Sequence, residues 1–408
     1  MKRFLAVHFI LALAALFLLS IVLAVVFLFF LKPRVFVQPS LSLIETKDNH
    51  YTLKNSQKIS YGFLPYWSVG NYSPNFDAVT DIVYFTFFLN SDGSIKKFDE
   101  NGSLDPSYNT WQSNGKLQTI IKESHAEGVR VSLTIAIHDN EGIENFLNCT
   151  KCWENSYAEL NTEVSKQGIL GLNLDFEYVG DIPPGLDKKY ADYATFLSNK
   201  FKKSHGNNFI VVVSTYADAA YKNRLMNLKY LNIPEIDYLF IMAYDFYRPT
   251  SDTSGPVAPI SGAPQKYEYD LTLMIKDYLQ RIPSSKLILG VPFYGYNWIV
   301  SGWAPYSKRI PGNDYIGYSV SQHYDAIKEK IDSEGLNVLW DEDAKSPYFT
   351  YYNYGAGVIR QVFFENQESV KEKIELAEKS GFAGVGAWAL GYEGPRSDFT
   401  KLLEDYIK

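Results

Sequence analysis

The run Leu170-Gly171-Leu172-Asn173-Leu174-Asp175-Phe176-Glu177 sets polar groups at every second position. Side chains alternate across a strand, so Asn173, Asp175 and Glu177 share one face, while Leu172, Leu174 and Phe176 share the other. Three polar groups on an inward face are costly, because a buried carboxylate without partners costs several kcal/mol. Such a cost points to function; the competing reading is an acidic pair that merely caps the end of a barrel. Two carboxylates two residues apart are close enough to couple. The charge on Asp175 is expected to raise the pKa of Glu177 and keep it able to donate a proton. No separate carboxylate nucleophile stands out, which fits the exceptional glycosidic route in which the substrate's own amide attacks.

Other reactive residues give weaker signals. Cys149 and Cys152 are the only cysteines, and one CxxC pair lacks the second pair of a structural zinc site. A small loop-closing disulfide is the expectation outside the cytoplasm. His138-Asp139, ending the third strand, has two readings, a hydrogen-bonding pair in the site or a satisfied surface pair, and the second is favoured. Asn71, Asn101 and Asn148 head N-x-S/T triplets, which matter only in a glycosylating host. The formal net charge of -7 argues against nucleic acid as the main partner. No metal or organic cofactor is implied.

These residues need a scaffold, and the chain supplies an alternating one. Eight β-rich runs are predicted: Ser60–Pro65, Asp81–Leu89, Arg130–Ile137, Gly171–Glu177, Phe209–Tyr216, Tyr238–Tyr244, Leu287–Phe293 and Ala383–Leu390. Helical stretches separate several of them. Lys116–Glu127 ends at Gly128, and Tyr190, Tyr193, Leu197 and Phe201 form one apolar stripe. Ser369 is placed to cap a helix that Gly381 ends. Eight such units favour a closed TIM (β/α)8 barrel, and no glycine-rich nucleotide loop follows the first strand. About ninety residues separate the last two strands, so a small α+β insertion is predicted there, at about 300–360.

The N-terminus has a different character. From Phe4 to Leu31 the chain is apolar except for His8 and Ser20. A helix over that run would reach roughly 40 Å, more than the ~30 Å hydrocarbon core needs. A signal peptide's apolar region is normally only about 7–15 residues, which favours an uncleaved single-pass anchor over residues 1–34. Lys2 and Arg3 keep its start cytoplasmic and the remainder extracytoplasmic, although Lys32 and Arg34 weaken that orientation. Residues 35–57 read as a linker, and 58–408 as the barrel domain.

The 170–177 segment resembles the signature strand of glycoside hydrolase family 18, Asp-Gly-x-Asp/Asn-x-Asp-x-Glu, matching at Gly171, Asn173, Asp175 and Glu177. The resemblance implies that Glu177 protonates the glycosidic oxygen, and that Asp175 orients the acetamido group and stabilises an oxazolinium intermediate. Met242-Ala243-Tyr244-Asp245 matches the family's Met-x-Tyr-Asp. By resemblance Tyr244 donates to the acetamido oxygen, and Asp245, with Met242 beside it, contacts the sugar. Gly290-Val291-Pro292-Phe293-Tyr294-Gly295-Tyr296-Asn297-Trp298 resembles the seventh strand and its loop, bringing Tyr294 and Trp298 as substrate-binding candidates. Gly386-Ala387-Trp388 places Trp388 as the aromatic floor of the subsite before the cleaved bond.

Two departures stand out. Leu170 occupies the position of the family's first Asp, an acid expected to help the inner carboxylates share protons. Ser132-Leu133-Thr134-Ile135-Ala136 replaces a Ser-x-Gly-Gly run. The resemblance implies retaining, substrate-assisted hydrolysis of β-1,4-linked N-acetylglucosaminides, of chitin type or in peptidoglycan, with the bacterial cell-wall and spore-acting members the nearer subgroup. The alternative is a non-hydrolytic chitinase-like glycan-binding protein.

Overall fold

The computed structural model describes residues 51–396 and 398–408. The apolar run 4–31, and with it the anchor expectation, lies outside the described residues. Among those described, no helix is long and apolar enough to cross a membrane.

Each β-rich run becomes a strand buried on both faces, as the Val-, Ile- and Phe-rich composition requires. The barrel strands are β1 (Ile59–Pro65), β2 (Asp81–Phe88), β3 (Arg130–Ile137), β4 (Gly171–Phe176), β5 (Ile210–Tyr216), β6 (Tyr238–Met242), β7 (Leu287–Pro292) and β13 (Gly384–Trp388). All pairings are parallel, and the sheet closes in the order β1-β13-β7-β6-β5-β4-β3-β2. Closure removes both sheet edges.

Two cores follow from the period-two alternation. Tyr61, Phe63, Val83, Phe85, Val212, Phe240 and Ile288 fill the barrel interior. Leu172, Leu174 and Phe176 join the larger core between strands and helices. The interior aromatics need room, and glycines make it: a Cβ on Gly386 would lie 2.5 Å from the Phe240 ring, and one on Gly290 2.4 Å from the Ile241 carbonyl oxygen.

Among the helices, α1 (Pro106–Ser113), α2 (Gly115–Ala126), α3 (Asn140–Leu147), α4 (Thr150–Gln167), α5 (Leu186–His205), α6 (Leu228–Leu231) and α7 (Leu271–Leu279) precede the insertion. The stripe Tyr190, Tyr193, Leu197 and Phe201 is fully buried on α5. Cys149 and Cys152 form a disulfide at the start of α4.

The insertion is an antiparallel sheet with one helix, and it is longer than the sequence suggested, spanning residues 294–364. It comprises β8 (Tyr294–Val300), β9 (Val320–His323), α8 (Tyr324–Glu334), β10 (Leu339–Asp341), β11 (Ser346–Asn353) and β12 (Val358–Phe364), in the order β10-β11-β12-β8-β9. It begins early because parallel pairing stops at Pro292 and β8 then pairs with β12, from Gly295 against Phe364 to Val300 against Ile359.

Helix α9 (Gln367–Lys379) follows, and α10 (Asp398–Ile407) closes the described chain. The cap of α9 is Asn366 rather than Ser369. Asn366 Oδ1 accepts from Ser369 N at 2.9 Å and Ser369 Oγ from Asn366 N at 2.8 Å, a reciprocal box that makes Ser369 the third helical residue. The expected linker also ends earlier than residue 57. Tyr51 stacks on His125 with ring centroids 4.2 Å apart, and Lys54 N donates to the Gly128 carbonyl at 2.8 Å, so residues 51–57 belong to the barrel unit.

Candidate active site

Strand β4 carries its polar residues up the inside of the barrel to its C-terminal mouth, where barrel enzymes place their chemistry. Asn173 is fully buried, and its Oδ1 accepts from Ser214 Oγ of β5 at 3.1 Å. Asp175, one turn of alternation higher, is buried; its Oδ1 has no hydrogen-bond partner among the described residues. Glu177 lies just past the strand end, with its backbone N–H on the Ile137 carbonyl at 3.3 Å. Its side chain is about one-third exposed, opening into the cavity.

Tyr216 O–H donates to Glu177 Oε2 at 2.9 Å. Burial pushes the Glu177 carboxyl above the usual carboxylate range, and the charge of Asp175 adds to that. His138, the Tyr216 hydrogen bond and Arg248 pull the other way without reversing it. The Asp175 charge is the cause expected from the spacing; removal from water is the larger one. Burial likewise holds the Tyr244 phenol well above its ordinary value, so it stays a hydrogen-bond donor.

The mouth opens into a cavity of about 760 Å³, a size typical of small-molecule or glycan sites. Met242, Tyr244 and Asp245, at and beyond the end of β6, line it, as do Tyr294 and Trp388. In the closed strand order β13 stands four places from β4, so Trp388 faces the carboxylates across the mouth. Its ring packs edge-on against Phe85 at 4.8 Å and at a tilt against Phe63 at 5.5 Å. Asp245 takes a left-handed backbone, φ 63°, an uncommon conformation for a residue with a Cβ. Its Oδ1 accepts from the hydroxyls of Tyr294 and Tyr296, the latter at 2.5 Å. Those two tyrosines come from β8, so the insertion helps build the site.

Trp298 is not among the residues the structure brings together here. It is fully buried beneath the second sheet, where its Nε1–H donates to the Arg248 carbonyl at 3.0 Å, and it does not line the cavity. Distance along β8 explains this: Tyr294, Tyr296 and Trp298 share a face by alternation, but only the first two reach the barrel mouth. Leu170 also changes meaning. It lies at the opposite end of β4, seven residues from Glu177, roughly 20 Å at ~3.3 Å per residue. By parity it faces outward with Leu172 and Leu174, so it has no path to share protons with the carboxylates.

His138 follows the less favoured of its two readings and stands in the site. Its Nε2 lies 3.9 Å from Asp175 Oδ2 and 3.8 Å from Glu177 Oε1. Asp139, its supposed surface partner, instead caps α3, accepting from Gly142 N at 2.6 Å. Position at a strand's C-terminal end was the signal available. Tyr216 was likewise readable, sharing parity with Ser214 on β5. Arg248, whose Nε is 3.6 Å from Asp245 Oδ2, carried no pattern of its own.

Parallel barrel, inward acids at the strand ends and a lateral α+β lobe define a glycosidase-type scaffold. The sequence profile of glycosyl hydrolases family 18 matches residues 55–393. The chain belongs to that family. It is 26% identical over 261 residues to the putative sporulation-specific glycosylase YdhD of Bacillus subtilis, covering 64% of this chain and 56% of that relative. It is 28% identical over 260 residues to the probable di-N-acetylchitobiase 1 of Dictyostelium discoideum, covering 58% and 65%. The chain thus spans between about half and two-thirds of these relatives. Among solved structures, the spore cortex-lytic enzyme SleL of Bacillus megaterium superposes with a TM-score of 0.67 at 18% identity, over 87% of this chain and 75% of that one. Catalytic domain 2 of the Ostrinia furnacalis group II chitinase gives 0.72 at 18%, over 86% and 96%. At such identities the superpositions establish the fold.

Proposed function

We propose that the protein hydrolyses β-1,4-linked N-acetylglucosaminides with retention, using the substrate's acetamido group as nucleophile. The observation that carries this reading is the pairing of a cavity-facing, proton-holding Glu177 with a buried Asp175 whose Oδ1 is left without a partner. A buried acceptor left unpaired is costly, and a substrate N–H placed there would remove the cost. Glu177 protonates the glycosidic oxygen. The acetamido oxygen, oriented by Asp175 and by the Tyr244 hydroxyl, attacks C1 to close an oxazolinium ring. Glu177, now a carboxylate, takes a proton from the water that opens that ring. Trp388 supplies the floor beneath the sugar, and Met242, Asp245 and Tyr294 its flank, whereas Trp298 supports the site from behind, through the Arg248 backbone and the Tyr296 ring.

Relatives described as a sporulation-specific glycosylase and a di-N-acetylchitobiase support peptidoglycan or chitin-type glycan as the substrate class. The non-hydrolytic alternative accounts for a groove but not for a proton-holding glutamate opening into it. Mass spectrometry of products from N-acetylglucosamine oligomers and from peptidoglycan glycan tests the reading; cleavage of at least one is expected, and cleavage of neither contradicts it. The proposal includes membrane attachment through residues 4–31. Retention of the full chain in carbonate-washed membranes supports that attachment, and release into the wash overturns it.

A further inference from the structure

We propose that His138 is a positioning residue of this site, its imidazolium compensating the charge left on Glu177 when that residue gives up its proton. The inference rests on the glycosidase reading above. Strand β3 lies beside β4, with Ile137 paired to Phe176, so the residue after β3 is level with Glu177. His138 therefore sits at the mouth, with Nε2 3.9 Å from Asp175 Oδ2 and 3.8 Å from Glu177 Oε1. The Phe88 ring of β2 stands edge-on to the imidazole at 5.5 Å and holds its orientation. These separations suit ion pairing and exceed a hydrogen bond, so the imidazole acts on the carboxylates as a charge.

The groups facing His138 come from four strands and its own loop. Strand β4 presents Asp175 and Glu177. The histidine's own loop presents Asp139, whose carboxylate is engaged as a helix cap. Strand β5 offers the Tyr216 hydroxyl, bonded to Glu177, and β2 offers only Phe88. Beyond β6 stand Tyr244 and Arg248, the latter already 3.6 Å from Asp245. Burial works against a charged imidazole here, yet Asp175, Glu177 and Asp139 raise its pKa above the ordinary histidine value.

The charge balance gives the reason for such a group. In the proposed starting state Asp175 is a carboxylate, His138 an imidazolium and Glu177 the protonated acid. The Glu177 proton passes to the glycosidic oxygen, the C1–O bond breaks with its electron pair on that oxygen, and the acetamido oxygen bonds to C1. Two carboxylates then face two cations, the oxazolinium ring and the imidazolium. Without His138 the site carries one excess negative charge throughout, and the step then sets a second carboxylate beside the first with no cation next to the pair except the oxazolinium ring, which is costly in a partly desolvated site.

The test compares pH profiles of kcat/KM for wild type and His138→Gln, on an N-acetylglucosamine oligomer and on an activated aryl glycoside. The imidazolium weakens the hold of Glu177 on its proton, so its removal moves the alkaline limb to higher pH, by on the order of one unit. The fall in kcat is expected on the oligomer, whose leaving group needs the proton, with little change in KM and a smaller fall on the aryl glycoside. A limb that stays in place, or equal losses on both substrates, overturns the inference. A matching thermal melt shows that the variant folds. NMR titration of the imidazole in wild type and Asp175→Asn is the second readout; its pKa should drop in the variant, and an unchanged value also overturns the inference. Glu177→Gln is run beside them. If it cleaves the oligomer like wild type, the glycosidase reading fails; if it is inactive while the His138→Gln limb stays put, only the inference about His138 fails.

Discussion

At the scale of single residues, the site works by giving chemically similar groups different surroundings. Asp175 and Glu177 are both carboxyls two positions apart and both line the cavity, yet the first is almost wholly buried at its floor and the second is about one-third exposed. Burial, more than the neighbouring charge, raises the Glu177 pKa. Hence Asp175→Asn should lower the alkaline limb of activity only modestly, while costing activity by removing the negative charge that steadies the oxazolinium ring. A pH–rate profile measures both; an unchanged kcat would remove Asp175 from the mechanism. A thiazoline analogue of the oxazolinium should inhibit competitively, read from initial rates at several substrate concentrations, and absence of inhibition points to a different nucleophile. The two tryptophans provide a contrast. Trp388→Ala should raise KM for oligomers, because it removes a cavity wall. Trp298→Ala should act mainly on stability, by about 3–5 kcal/mol, the usual cost of deleting a buried aromatic.

At the scale of elements, parity along a strand made most of the site legible. The single assignment of β4 as a strand placed Asn173 and Asp175 inside and Leu172, Leu174 and Phe176 outside, all as observed. The same rule on β5 would have found Tyr216. What parity does not encode is how far a strand reaches: Trp298 shares a face with Tyr294, but lies where β8 has left the barrel mouth. Nor does a motif position encode distance, which is why Leu170 looked relevant to proton sharing. The insertion is tied back to the barrel by Lys373 of α9 and Glu365 just past β12, an ion pair at 2.8 Å with both side chains buried. Lys373→Met leaves a buried carboxylate uncompensated and should cost about 3–5 kcal/mol. Denaturant unfolding reads this directly, and a loss below one kcal/mol would show that the pair does little there.

At the scale of the whole molecule, eight alternating units were enough to indicate a closed parallel barrel, because runs buried on both faces permit few other solutions. The insertion was legible only as excess length. Its true start at Tyr294 depends on antiparallel partners about sixty to seventy residues away, which no local pattern announces. The chain end supplies a global test of pH dependence. Glu393 accepts from the backbone N–H groups of Phe399 and Thr400, at 3.1 and 3.4 Å, where α10 begins. Burial pushes its carboxyl up to about 7. A carboxyl raised in the folded state binds its proton more tightly there than in the unfolded chain. Its favourable contribution is therefore complete below pH ~4.5 and is lost as pH rises through about 7. Glu393→Gln keeps the acceptor and removes the charge, so it should raise Tm relative to wild type at pH 8 and show little difference at pH 4. An equal effect at both pH values would contradict the assignment.

All of this converges on one proton held by Glu177 at the barrel mouth. The most direct check is turnover of an N-acetylglucosamine oligomer by wild type and by Glu177→Gln, with oligomer binding measured in parallel. Loss of kcat by about 10²–10⁴-fold with binding retained is the expected result. Turnover within a few-fold of wild type by the glutamine variant would contradict it.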